Sequence, residues 1–221
     1  MNILIPYFSR SGHTEQLAFA LAHELEARGH SVSLEKITAQ QSRSKWHLAL
    51  PLLSTLPVLV PYLWIPRFRR WWLGNYSQAE QAIKSLTFPD VSNFDLVCIG
   101  CPKWLYIAYP MARYLRQVNG LDGKQVGAFA TFCGPPLEIF ELEMLFAPLR
   151  QRIDEKGGNL VARLAISSHF HEFFFFNEME YVFRMLSRMV FRRPLRSFTL
   201  ESEWGQQEVQ TFCTVLVGRE H

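Results

Sequence analysis

Three stretches of this chain, Phe94 to Gly100 (FDLVCIG), Lys124 to Thr131 (KQVGAFAT) and Asn159 to Ile166 (NLVARLAI), are apolar runs of strand length, the first nearly continuous. A strand with one wet face alternates apolar and polar side chains, so a continuous run points to a strand covered on both faces. Parallel sheets with helices on either side provide that cover. Asn2 to Tyr7 reads as another strand, and Ser31 to Ile37 as a fifth, with Val32, Leu34 and Ile37 set among polar residues. Gly12 to Arg28 carries Leu17, Ala20, Leu21 and Leu25 on one helical face and is followed by Gly29. Helices are also predicted over Tyr109 to Val118, Leu137 to Lys156 and about Gln206 to Val217. Strands alternating with helices, joined by right-handed crossovers, give a doubly wound α/β domain with a five-stranded parallel sheet and helices on both faces. In such a sheet ligands bind outside the carboxyl ends of the strands, where the strand order reverses.

Two segments break the rhythm. A helical insertion is expected at about 42–90, and an apolar, basic, helical elaboration at about 170–198. With 221 residues, 48% hydrophobic and 19% charged, the chain is globular, neither disordered nor collagen-like, and is read as one domain over 1–221. The net charge of +3 is too small to imply nucleic acid. Ser42 to Tyr76 alone carries +5, from Arg43, Lys45, Arg67, Arg69 and Arg70, which leaves −2 for the rest. Polar serines arrive by position 9, so no cleavable signal is expected, and the four cysteines are read as reduced thiols of a cytoplasmic protein. Cys98 and Cys101 have the spacing of a redox or metal pair, but no second pair completes a zinc site. His169 and His171 form at most a two-ligand arm, and no metal is expected.

The first strand runs into Tyr7-Phe8-Ser9-Arg10-Ser11-Gly12-His13-Thr14, and a helix starts at once. A helix N-terminus presents unpaired N–H groups and partial positive charge, and it holds a phosphate well. Ser9, Ser11 and Thr14 add hydroxyl donors, and Gly12 permits close backbone approach. No G-x-x-x-x-G-K-[ST] and no G-x-G-x-x-G occurs among the twelve glycines, and a loop built from hydroxyls suits a monophosphate. The same residues also describe an ordinary capped helix start.

Ser9-Arg10-Ser11-Gly12-His13-Thr14 resembles the [ST]-x-[ST]-G-x-T phosphate loop of the flavodoxin-like proteins. Gly100-Cys101-Pro102-Lys103-Trp104-Leu105-Tyr106 resembles that family's second loop, along the flavin ring, and Thr131-Phe132-Cys133-Gly134 its third. The resemblance covers about residues 1–41 and 91–166. It implies FMN as cofactor, with Ser9, Arg10, Ser11, Gly12, His13, Thr14, Pro102, Lys103, Trp104, Leu105, Tyr106, Thr131, Phe132, Cys133 and Gly134 as its binding residues. Trp104, Tyr106 and Phe132 supply aromatic surface for a flat ring. No side chain need act as acid, base or nucleophile, because the flavin carries the redox chemistry. The reaction class implied is electron transfer from NAD(P)H to a quinone-like, lipophilic acceptor; the alternatives are a one-electron carrier for a protein partner, or a flavin-free membrane-associated module.

The chain departs from that family in charge, since electron-shuttling flavodoxins are acidic and this chain is net positive. Leu48 to Pro66 holds nineteen residues without a charge but is broken by Pro51, Pro57, Pro61 and Pro66, against the roughly twenty unbroken residues of a spanning helix. Trp46, Trp64, Trp71 and Trp72 lie in or beside it with Arg67, Arg69 and Arg70, and Tyr181, Val182, Met185, Leu186, Met189 and Val190 mix with Arg184, Arg188, Arg192, Arg193 and Arg196. Tryptophan and arginine together suit a membrane interface. Peripheral membrane contact through 46–72 and 181–198, on the inner face of the membrane, stands beside packing of the two segments on each other and a homodimer interface.

Overall fold

The computed structural model of the chain describes residues 1–41, 57–58, 60–75, 78–104, 106–168 and 181–218. Five parallel strands form one sheet in the order β2-β1-β3-β4-β5: β1 Asn2–Tyr7, β2 Ser31–Lys36, β3 Leu96–Pro102, β4 Gln125–Phe132 and β5 Asn159–Ser167. Burial explains the sequence pattern. All of β3 but Pro102 and all of β4 but Gln125 are buried, whereas the edge strands β2 and β5 mix buried and exposed positions. Helices α1 (His13–Ala27) and α5 (Glu203–Val217) cover one face through Leu17, Leu21, Val209 and Phe212. The other face is covered by α3 (Tyr109–Gln117) and α4 (Glu143–Asp154) through Met111, Leu115, Leu145 and Leu149. Helix α5 starts three residues earlier than its pattern predicts, because Ser202 accepts a hydrogen bond from the Gly205 amide and caps it.

The strand order places the reversal between β1 and β3, so the loops after these two strands flank the switch point. Cys98 and Cys101 face opposite sides of the sheet, one in each core, as residues three apart on a strand must. They are therefore not a pair, and burial pushes the Cys101 thiol up to about 12. His169 and His171 lie outside the described residues.

The insertion is helical over only part of its expected range. Helix α2 (Pro66–Asn75) starts on a proline, whose fixed φ suits a first helical position, and residues 60–64 precede it as a helical turn. Residues 78–90 form no helix; they return as an extended limb bound to the β2 edge. Lys84 N donates to the Thr38 carbonyl and Gln40 N to that of Ala82. The Glu35 carboxylate, buried in β2, accepts the amides of Thr87 and Phe88. Glu80 adds ion pairs to Arg113, Arg116 and Arg152 on α3 and α4. These partners satisfy the limb without a helix, which accounts for the departure from the sequence expectation. Among the described residues no helix is long and apolar enough to cross a membrane.

Candidate functional site

At the end of β1 the Phe8 amide donates to the Gly100 carbonyl of β3, and the chain then turns through Ser9–Gly12. Ser9 Oγ accepts from the Gly12 amide at 3.1 Å. Gly12 itself is the residue before α1, in the left-handed region at φ 90°, and a side chain built there meets nothing within 4 Å. No side chain caps α1. The N-terminus of this 15-residue helix thus carries no side-chain cap, and exposed Ser11 and half-buried Arg10 and His13 stand beside it.

Thr14 also joins two of the loops. Its hydroxyl is buried and lies 2.7 Å from the Thr131 hydroxyl at the end of β4. This bond ties the first loop to the third across the sheet. Replacing either threonine by valine strands a buried hydroxyl, and each single change is expected to lower stability by about 1–3 kcal/mol. Thr14→Val with Thr131→Val together should cost less than the sum, read from urea midpoints, since then no unpaired hydroxyl remains. Strict additivity would contradict the tie.

Glu15, in the first turn of α1, would repel a phosphate, but it is engaged. Lys36 Nζ donates to both its oxygens, at 2.8 and 2.9 Å, and the Tyr7 hydroxyl donates at 3.0 Å. The Lys36 hydrogen bond holds the Glu15 carboxyl below its ordinary range, and burial, followed by Glu15, pushes the Tyr7 phenol up to about 12. None of these three residues belongs to the loop motif, so the motif alone does not reveal them.

The second loop is a tight turn: Lys103 N donates to the Thr131 carbonyl at 2.9 Å and Trp104 N to that of Tyr106 at 3.2 Å. Trp104 is wedged edge-on between Phe8 and Tyr109, with ring centroids 5.4 and 5.2 Å away, and packs on the core. Tyr106 is half-buried and its hydroxyl accepts from Trp72 Nε1 of α2. Pro102 and Lys103 are half-buried, and Leu105 lies outside the described residues. In the third loop Phe132 is buried, Cys133 half-buried, and Gly134, at φ 113°, is approached by the Phe183 ring 3.0 Å from where its side chain would stand.

Both irregular segments therefore reach this corner. Tyr62 is buried and donates to the Ile139 carbonyl at 3.3 Å, and Arg69 Nε meets Glu143 Oε2 at 3.2 Å. Phe183 covers Gly134 from the other segment. Nothing in the sequence of either segment signals that Tyr62, Trp72 and Phe183 pack beside the loops, because those contacts join residues far apart in the chain.

The fold has counterparts among solved structures. Flavodoxin 2 from Bacillus cereus superposes with a TM-score of 0.52 at 17% identity, covering 99% of both chains. A short-chain flavodoxin associated with a bacterial microcompartment gives 0.52 at 10% identity, covering 99% of this chain and 97% of that one. The chain has the flavodoxin-like fold. The chain also has a counterpart in sequence, an NAD(P)H dehydrogenase (quinone) of Cupriavidus metallidurans, 26% identical over 137 residues. That match takes in 59% of this chain and 56% of the relative, so the chain spans little more than half the length of the curated protein it matches. No protein-family model matches the chain.

Proposed function

We propose that this flavodoxin-like protein binds FMN at the carboxyl end of its sheet and passes electrons from NAD(P)H to a quinone-like, lipophilic acceptor. The observation that carries the reading is the junction of the loops: an α1 without a side-chain cap, entered through left-handed Gly12 and tied to the end of β4 by Thr14 and Thr131, beside the point where strand order reverses. The donors present fit a phosphate monoester. The Thr14 amide and the Ser11 hydroxyl are the candidate donors, and Lys36 neutralises Glu15 nearby. Backbone groups of the second and third loops and the rings of Trp104 and Tyr106 are the candidates for holding a flat ring system, with Cys133 and Gly134 at its other side. When bound, FMN supplies the hydride and one-electron chemistry, while the chain orients it and limits solvent access.

The quinone acceptor is suggested by the Cupriavidus metallidurans relative and by the apolar segments that close on the site. The test is direct. The purified protein is expected to take up FMN with a visible flavin spectrum and to oxidise NADPH steadily when a short-chain quinone is present. Uptake of flavin with no turnover would favour the carrier reading, which the flavodoxin superpositions support. A colourless protein that cannot be reconstituted would leave the binding-module reading and overturn this one.

A further inference from the structure

We propose that the exposed apolar and arginine-bearing surface beside the candidate site is a docking face for an anionic lipid bilayer. Its first part is the stretch 60–71, where Trp64 is 82% exposed and Val60, Ile65 and Trp71 at least half exposed. Its second part is 181–190, where Tyr181 is 73% and Met189 69% exposed. Single exposed apolar residues are ordinary on a protein surface, but a cluster of this kind within two short segments marks an interaction site. The segments are anchored to one loop: Tyr62 donates to the Ile139 carbonyl, and Phe183 packs on Gly134.

Charge decides what the surface takes. The described residues 57–75 and 181–200 include no aspartate or glutamate, while Arg67, Arg70, Arg184, Arg188, Arg192 and Arg193 are exposed on them. A second copy of the chain in a two-fold dimer would set like arginines against one another, which costs affinity. An anionic headgroup layer complements them, and exposed tryptophan and tyrosine rings suit the boundary between headgroups and acyl chains. Among the described residues no helix is long and apolar enough to cross a bilayer, and the proposed attachment is peripheral. Docking through this face turns the three loops toward the lipid phase, where a lipophilic acceptor resides; that last step rests on the proposed function, whereas lipid binding does not.

The experiment is co-sedimentation of the full chain, with and without FMN, using vesicles of phosphatidylcholine alone or mixed equally with phosphatidylglycerol. Binding to the anionic vesicles is expected to be at least about tenfold stronger, and to weaken in ~0.5 M salt as screening shortens. Trp64→Glu with Trp71→Glu should reduce binding to both vesicle types, and Arg188→Glu with Arg192→Glu should erase the preference for phosphatidylglycerol. Circular dichroism and melting curves check that the variants fold, and quenching of wild-type tryptophan fluorescence by brominated anionic lipid provides a readout without any variant. A wild type that stays in the supernatant with anionic vesicles overturns the proposal. So does a salt-resistant dimer by sedimentation whose formation is lost in the Trp64→Glu, Trp71→Glu variant. Failure of flavin uptake with vesicle binding intact would count against the proposed function alone.

Discussion

Gly12→Val is expected to lower FMN affinity by roughly 100-fold or more, about the worth of two hydrogen bonds to a charged group, while riboflavin affinity changes little. Two effects act together. Gly12 sits at φ 90°, where a β-branched residue is strained, and it is the residue that leads into the first amides of α1. Relief of that strain would tilt the first amides, and the added methyls would crowd a phosphate at the loop. Riboflavin is the useful control because it lacks the phosphate. The wild type should prefer FMN strongly, and the variant should lose that preference, in titrations that follow quenching of flavin fluorescence. Urea unfolding of the variant without ligand separates strain from lost binding. Equal loss of both ligands would move the phosphate elsewhere, and an unchanged preference would remove the cradle.

The sheet was legible because burial on both faces leaves a mark that local sequence cannot disguise. FDLVCIG and KQVGAFAT lie at the centre of the sheet, and the strand covering Ser31–Lys36, with its mixed pattern, lies at the edge. The first loop was legible for a similar reason: hydroxyls, glycine and helix start are consecutive residues, and their chemistry is local. What could not be read is what depends on a distant partner. Nothing near Thr14 in the sequence shows that Thr131, 117 residues on, stands 2.7 Å from its hydroxyl. Glu35 looks like a solvent-facing residue of an edge strand, yet it is buried because Thr87 and Phe88 bring their amides to it. Cys98 and Cys101 have a pair's spacing, and only the strand's two-residue period separates them to opposite faces.

The insertion shows the same limit from the other side. Its tryptophans and arginines, read as a composition, suggest an interface. The folded chain divides them: Trp72 and Arg69 turn inward to Tyr106 and Glu143, whereas Trp64, Trp71, Arg67 and Arg70 remain outside. A helical period of 3.6 separates positions 69 and 72 from 67, 70 and 71, but which side packs is set by the loops beneath.

The largest effect on stability is expected at the pair Gly100 and Phe129, directly opposite each other on β3 and β4. The Phe129 ring, wholly buried, lies over the glycine, and a methyl group added at position 100 would stand 2.7 Å from its Cε1 and overlap the rest of the ring edge. Gly100→Ala is therefore expected to cost about 1–3 kcal/mol as overpacking, and Phe129→Ala about 3–5 kcal/mol as a cavity between the sheet and its helices. The two changes fill the same space in opposite senses, so Gly100→Ala with Phe129→Ala should cost less than the sum by roughly 1 kcal/mol or more. Urea denaturation of the three variants measures the coupling. Additive costs would mean that the ring can move aside without loss. The consequence extends beyond the core, because the Gly100 carbonyl accepts the Phe8 amide at the start of the first loop. An alanine that pushes β3 away from β4 disturbs that bond as well. Gly100→Ala alone should thus weaken FMN binding in proportion to its cost, and the second change should restore part of it.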